Sequence, residues 1–309
     1  MSIGYIAISY LCNQKCSFCP CSNEEKKYRE PELEDLKISV NNMINQSNIN
    51  GIVVSGGEPT LYKYFIDFLS FLCEKKLKIT ILSTSERFSD KNFLKDFVNQ
   101  INVDKINVIS TIHSHIAEQH EGINGTCNSF ERTISGLLNL NSAGIHTTVK
   151  HCITRENFKD LCKFYEFIES NFPESVDIQI CSIDYCGLKP KEYDKQMLVF
   201  PDLQPYFDEM FDCYMEKINK GNLRHMYCIN MPLCSADPYY WDFFAQKPEG
   251  YSAYAAASDE GDVKTNCVVN RDVDTFGKVC EECKVESICA GTYKTAFELF
   301  GDRIVEKYA

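Results

Sequence analysis

Residues 3–21 read IGYIAISYLCNQKCSFCPC, an apolar, β-prone run that passes without a break into four cysteines. The run 3–10 predicts a short strand, which sets Cys12, Cys16 and Cys19, spaced CxxxCxxC, on the loop leaving its C-terminal end. Working outward, further short apolar runs occur at 51–55 (GIVVS, ending in Gly56-Gly57), 78–83 (KITILS), 105–111 (KINVIST), 146–153 (HTTVKHCI) and 176–183 (VDIQICSI). Helical spacing lies between them at 33–48, 63–76, 91–100, 128–143 and 157–171; in 128–143 the apolar face runs through Phe130, Ile134, Leu137, Leu138 and Leu140. Six strands alternating with helices imply parallel βαβ units, because a parallel connection needs a crossover and a helix is the usual one. Six units are too few for a closed eight-fold barrel. The expected fold is therefore α/β, a partial (β/α)6 TIM-like barrel with a small Cys-rich C-terminal extension. Its ligand face is at the C-terminal ends of the strands, where the cysteine loop also sits.

After Gly187 the alternation stops. Residues 200–220 read as helix, the chain from Arg224 is rich in loops, and a last helix is expected near 292–299. This divides the chain into a core at 1–190, a helical linker at 191–222 and a Cys-rich domain at 223–309. Hydrophobic residues make up 44% and charged residues 25%, the balance of a folded globular chain. The net charge of -12 argues against nucleic acid and anionic membranes as partners, since both repel an acidic surface. No apolar run approaches the roughly 20 residues that span a bilayer. The first ten residues carry no signal-peptide pattern, so a cytoplasmic location is expected.

Cysteine is the outlier, with 17 residues. In a long chain without a signal peptide, metal or redox chemistry explains this better than a disulfide framework. Three thiolates can hold three corners of a [4Fe–4S] cube and leave the fourth iron open to a ligand. Zinc, buried free thiols, or closure of the site by Cys21 are the alternatives. The second strand ends in Ser55-Gly56-Gly57-Glu58-Pro59-Thr60. The glycines permit close backbone approach, and the carboxylate suits an ammonium group.

The cysteine triplet after strand one and Gly-Gly-Glu-Pro after strand two together resemble the radical S-adenosylmethionine (SAM) superfamily over residues 3–185. The resemblance implies that Cys12, Cys16 and Cys19 ligate a [4Fe–4S] cluster whose open iron chelates SAM. It further implies that the backbone of Gly56, Gly57 and Glu58 meets the SAM ammonium and that Phe18 packs on cluster or adenine. Ser83, in LSTSE, and Ser110, in STIHSH, match places where relatives contact SAM, and Arg132 is a further candidate. Relatives often carry Asn-Gly where this chain has Ser85-Glu86, and Asp-Gly where it has His113-Ser114. The chemistry implied is reductive cleavage of SAM to a 5′-deoxyadenosyl radical, which then abstracts hydrogen from a substrate.

Cys280, Cys283 and Cys289, in CEECKVESICAG, resemble the auxiliary-cluster extensions known as SPASM and twitch, with Tyr293 where the full SPASM pattern has another Cys. One auxiliary Fe–S cluster is expected, with Cys234 as its fourth ligand and Cys228 or Cys267 as alternatives; zinc on the same thiolates is the competing reading. Cys267 and Cys228 are also candidate hydrogen donors, since an S–H bond is weak enough to quench a carbon radical. The remaining thiols of the middle region read as small buried hydrophobes. The substrate expected from the resemblance is a ribosomally made peptide, to be cross-linked, epimerised or given a thioether. Because the chain begins almost at strand one, a separate leader-peptide-binding partner is expected with it. A small molecule such as a sugar, nucleotide or cofactor precursor is the alternative. A low-potential reductant such as flavodoxin or ferredoxin is required. A non-catalytic Fe–S electron carrier or sensor would keep the cysteines but has no need of the Gly-Gly-Glu turn.

Overall fold

The computed structural model describes residues 2–21, 28–245, 251–257, 263–266 and 276–308. The six expected units are present. β1 (Ile3–Ser9) is followed by α1 (Leu33–Ser47), β2 (Gly51–Gly56) by α2 (Phe65–Glu74), and β3 (Lys78–Leu82) by α3 (Lys91–Gln100). β4 (Ile106–Thr111) is followed by α4 (Ala117–Asn124) and α5 (Ser129–Ser142), and β5 (His146–Ile153) by α6 (Leu161–Asn171) and β6 (Val176–Ser182). Adjacent strands of this series pair in parallel and in sequence order. The segment after β4, legible as one helix, is two, parted where Gly125 and Asn128 take left-handed backbone conformations.

The rest of the chain comprises α7 (Tyr193–Gln196), α8 (Gln204–Asn219), β7 (Met226–Ile229), β8 (Ala253–Ala257), β9 (Val263–Asn266) and α9 (Lys294–Phe300). The region from Arg224 on is thus less loop-like than its sequence suggests. β7 adds in parallel to β6, β8 adds in parallel to β1, and β9 lies antiparallel on β8. Among the described residues the result is one open nine-stranded sheet, ordered β7-β6-β5-β4-β3-β2-β1-β8-β9. These late strands are only four or five residues long, and alanine-rich AYAAA has little intrinsic strand preference. Pairing with edges already formed, rather than local propensity, makes them strands.

Strand alternation separates two environments. Ile6, Ile52, Ile79 and Val108 pack with Leu36, Phe68 and Phe97 beneath the helices. On β5 the outer face carries His151, stacked on Phe164 of α6 at 3.9 Å. The opposite, lumen-facing positions include Tyr5, Ser55, Asn107, Lys150 and Gln179, a polar set suited to a ligand chamber.

Arg224 holds the seam between the series and its C-terminal addition. It is buried, pairs with Glu169 of α6 at 2.5 Å, and donates to the carbonyls of Val176 (2.5 Å) and Phe172 (3.0 Å). Replacing it removes the cation beside Glu169, which keeps Asn222 Nδ2 at 2.8 Å, and leaves two carbonyls without their donor. Arg224→Met is expected to destabilise the protein by about 3–5 kcal/mol, read as a lower urea midpoint. A midpoint equal to wild type would show that β7 docks without this pair.

Candidate active site

The loop carrying the three cysteines is gripped from several sides. Gly57 N–H donates to Ser9 O at 2.7 Å and Glu58 N–H to Leu11 O at 2.6 Å, tying the turn after β2 to the loop after β1. A Cβ at Gly57 would stand 2.2 Å from Leu11 O and 2.6 Å from Tyr10 O; one at Gly56, whose φ is +130°, would stand 2.0 Å from Ser9 O. These glycines therefore admit the protein's own backbone. A Cβ at Gly187, just beyond β6, would stand 2.2 Å from Phe18 O, so the loop is backed from that side as well.

The Glu58 carboxylate, which the sequence offers to an ammonium group, is committed within the protein. It is buried and accepts from Thr60 N (3.0 Å), Thr60 Oγ1 (2.7 Å), Ser83 Oγ (2.8 Å) and Thr84 N (2.5 Å). Ser83 is accordingly part of this network, joining the turns after β2 and β3. A second buried carboxylate, Glu86, does the corresponding work for the cysteine loop. It accepts from Asn13 Nδ2 and Gln14 Nε2, both at 2.8 Å, and pairs with Arg132 Nη2 at 2.6 Å. Arg132 is thus held by Glu86 rather than aimed free into the chamber. Nothing in the sequence beyond the departure at Ser85-Glu86 marks this carboxylate as an organiser.

The thiols of Cys12, Cys16 and Cys19 lie within electrostatic range of one another. Burial pushes Cys12 up to about 12 and raises Cys16 as well, and the neighbouring thiols add to both. A hydrogen bond with Cys21 draws Cys19 down to about 7. Among the described residues no group of three His, Cys, Asp or Glu side chains is arranged to hold a single metal ion. A cube of iron and sulfide is wider than one ion and spreads its ligands correspondingly. Three partly exposed free thiols on one clamped loop, with no disulfide between them, have the chemistry of that larger guest.

Phe18 is buried and meets His113 edge-on at 5.5 Å. His113, present in the sequence only as a departure, also places Nε2 3.9 Å from Cys16 Sγ. Burial holds His113 neutral, well below the usual imidazole range. Ser55 lies on the chamber side, hydrogen-bonded to Tyr5. Ser110 is buried without a hydrogen-bond partner for its hydroxyl. It pairs in register with Val149, on the helix-covered face, so Thr111 takes the lumen side.

The C-terminal cysteines converge too. Cys234, Cys280, Cys283 and Cys289 line one pocket together with Phe276, Phe297 and Tyr308. Leu233 and Gly291 N–H groups each donate to Cys289 Sγ at 3.4 Å, and Tyr308 N–H to Cys283 Sγ at 3.4 Å. Cys228 is apart from this pocket. It pairs with Ile180 on the helix-covered face of the sheet, away from the chamber. Cys267 lies outside the described residues.

The sequence profile of the Radical SAM superfamily matches residues 6–168, more than half of the chain. The chain belongs to the radical SAM superfamily. Among curated proteins, Fe-coproporphyrin III synthase of Methanosarcina barkeri is 23% identical over 159 residues, covering 51% of this chain and 38% of that protein. The chain therefore matches well under half the length of this curated relative. Among solved structures, Streptococcus suis SuiB bound to S-adenosylmethionine is 14% identical and superposes with a TM-score of 0.66, covering 99% of this chain and 76% of SuiB. Native anSMEcpe with bound AdoMet is 17% identical, with a TM-score of 0.65 over 99% and 93% of the two chains. At such identities the likeness shows the shared radical SAM fold.

The clamp can be tested directly. Gly57→Ala is expected to destabilise the protein by about 1–3 kcal/mol and to reduce iron uptake on anaerobic reconstitution. Gly122→Ala, in α4 where a Cβ meets nothing within 4 Å, serves as the control. Equal denaturation midpoints and iron contents for the two variants would remove the clamp from the account.

Proposed function

We propose that this radical SAM protein is an enzyme that binds a [4Fe–4S] cluster through Cys12, Cys16 and Cys19 and uses SAM to open a radical reaction on a peptide. The observation that carries this reading is the cysteine loop itself, three free thiols clamped at the C-terminal ends of β1 and β2. Bound there, the cluster would supply the electron for reductive cleavage of SAM to methionine and a 5′-deoxyadenosyl radical. The chain's own residues hold the site around it. Glu58 and Glu86 lock the turns, His113 stands against Cys16 with Phe18 packed on its ring, and the backbone of the Gly56–Glu58 turn would meet the SAM ammonium. Ser55, Ser83 and Arg132 complete the proposed SAM surroundings, with Ser83 and Arg132 acting through their carboxylate partners, while Ser110, turned to the helix-covered face, has no place in them.

The second part of the proposal is an auxiliary Fe–S cluster on Cys234, Cys280, Cys283 and Cys289, in a SPASM/twitch-like extension at 223–309. Its support is the shared pocket and the backbone N–H groups already directed at two of the sulfurs, which stabilise anionic sulfur. Four cysteines would close that cluster, leaving it to electron transfer or to structure.

For the substrate, a peptide is supported by relatives of the same fold whose structures hold one, SuiB with precursor peptide SuiA and anSMEcpe with the Cp18Cys peptide. The sequence match to Fe-coproporphyrin III synthase favours a small-molecule substrate as the second reading. A low-potential reductant of the flavodoxin or ferredoxin class is needed in either case.

Anaerobically reconstituted protein should contain about eight irons per chain. Replacing Cys12, Cys16 and Cys19 together by Ala should remove about half of them and abolish 5′-deoxyadenosine formation with SAM and dithionite. Undiminished formation in that variant, or zinc in place of iron, would overturn the reading. A mass change on a short peptide encoded beside the gene would separate the peptide substrate from the small molecule.

A further inference from the structure

Cys152 and Cys181 stand directly opposite each other on β5 and β6, and their sulfurs are 3.5 Å apart. Read singly, each is a small buried hydrophobe. The register makes them a pair, and alternation sets the pair on the lumen side. His151 and Ile180, their neighbours in register, take the outer face, where His151 stacks on Phe164 of α6. Lys150, two residues before Cys152 and so on its face, interacts electrostatically with Cys181, Cys152, Tyr293 and Tyr251. Tyr293 stands where the SPASM pattern has its further Cys, and its hydroxyl accepts from Asn230 Nδ2 at 2.7 Å. Cys152 also lies within electrostatic range of Cys16 on the cluster loop. Two thiols and an ammonium thus face the chamber near where the proposed radical forms, on the helix-free side that Cys228 does not reach.

The pair is chemically uneven. The two thiols share one hydrogen bond, which together with Lys150 draws the Cys181 thiol down to about 7; the same contact and burial raise that of Cys152, against the pull of Lys150. Such a pair shares a charge readily, and two sulfurs 3.5 Å apart need to approach by about 1.5 Å to bond, a disulfide being about 2.0 Å long.

We infer that Cys152 and Cys181 form a redox-active dithiol that quenches a carbon radical in the chamber. The inference rests on the radical SAM reading above. In the step, a carbon radical takes the hydrogen atom of one thiol, forming C–H and leaving a sulfur radical. That sulfur bonds to its neighbour as the neighbour loses its proton, giving a disulfide radical anion. The anion passes its extra electron to a one-electron acceptor of the iron–sulfur class and becomes a disulfide. In sum, one carbon radical and two thiols give one C–H bond, one disulfide, one proton and one electron. A dithiol reductant then returns two electrons and two protons to restore the thiols. Lys150 holds the negative charge that the sulfurs carry in between.

The test uses the full chain, reconstituted anaerobically, in a Cys162→Ser/Cys213→Ser background. Those two sulfurs, 3.1 Å apart between α6 and α8, would otherwise oxidise on their own account. In a series of oxidised-to-reduced dithiothreitol ratios, alkylation and peptide mass mapping should find a Cys152–Cys181 disulfide, 2 Da lighter than the dithiol, that is absent from Cys181→Ser. Lys150→Met should shift the ratio at which it forms by about tenfold. Both thiols remaining alkylatable across the series would overturn the inference, and this arm needs no SAM cleavage.

In a second arm, SAM and dithionite are supplied in D2O without substrate. Deuterium from the exchanged thiols should enter 5′-deoxyadenosine, and its deuterated fraction should fall at least tenfold in Cys152→Ala/Cys181→Ala. An undiminished fraction there, or 5′-deoxyadenosine without deuterium in the parent protein, would count against the dithiol while leaving the radical SAM reading standing. Absence of 5′-deoxyadenosine from the parent protein counts against that reading instead, and the first arm then decides the dithiol.

Discussion

Two buried carboxylates hold the mouth of this barrel in place. Glu58 gathers the turns after β2 and β3, and Glu86 joins the cysteine loop to α5 through Asn13, Gln14 and Arg132. A carboxylate removed from water must have its lone pairs filled, and each hydrogen bond to the charged form is stronger than a neutral one. Here the donors come from four separate segments. The two carboxylates therefore convert a desolvation cost into a rigid rim, and the cysteine loop inherits that rigidity. The steric contacts at Gly57 and Gly187 act in the same direction, because no side chain could stand between those turns and the loop.

The rim explains why several polar residues near the ligand face are not themselves free for ligand. Their hydrogen bonds are spent on geometry. What is left to meet a ligand is backbone at the turns and the side chains of the lumen. There the chemistry changes around the barrel, from tyrosine and serine on β1 and β2 to lysine and two thiols on β5 and β6. Tyr5 stacks on Tyr254 of β8 at 5.3 Å, so the C-terminal part of the chain supplies wall as well as pocket.

That contribution ties the two parts of the chain together. β7 and β8 extend opposite edges of the core sheet, and Thr295 Oγ1 donates to Asp184 just beyond β6 at 2.7 Å. The edges among the described residues thereby pass to β7 and β9, each only four residues long, and short edges offer little for another chain to pair with. The Cys234–Cys289 pocket is thereby tied to the barrel through β7 on one side and the Thr295–Asp184 contact on the other.

The sequence by itself determined the six βα units, the bounds of most of their elements to within a residue or two, the placement of three cysteines at the ligand face, and the grouping of the late cysteines. These are local properties: apolar period, turn residues and motif spacing act within a few residues of one another. Only the tertiary structure decided the three late strands, the commitment of Glu58, Ser83 and Arg132 to internal networks, the face on which Ser110 and Cys228 fall, and the meeting of Cys152 with Cys181. Each of these depends on strand register or on a partner 25 to 50 residues or more away, and a one-residue change of register would turn every side chain of a strand to its other face. Burial then selects among the registers, and burial belongs to the assembled sheet rather than to any segment of it.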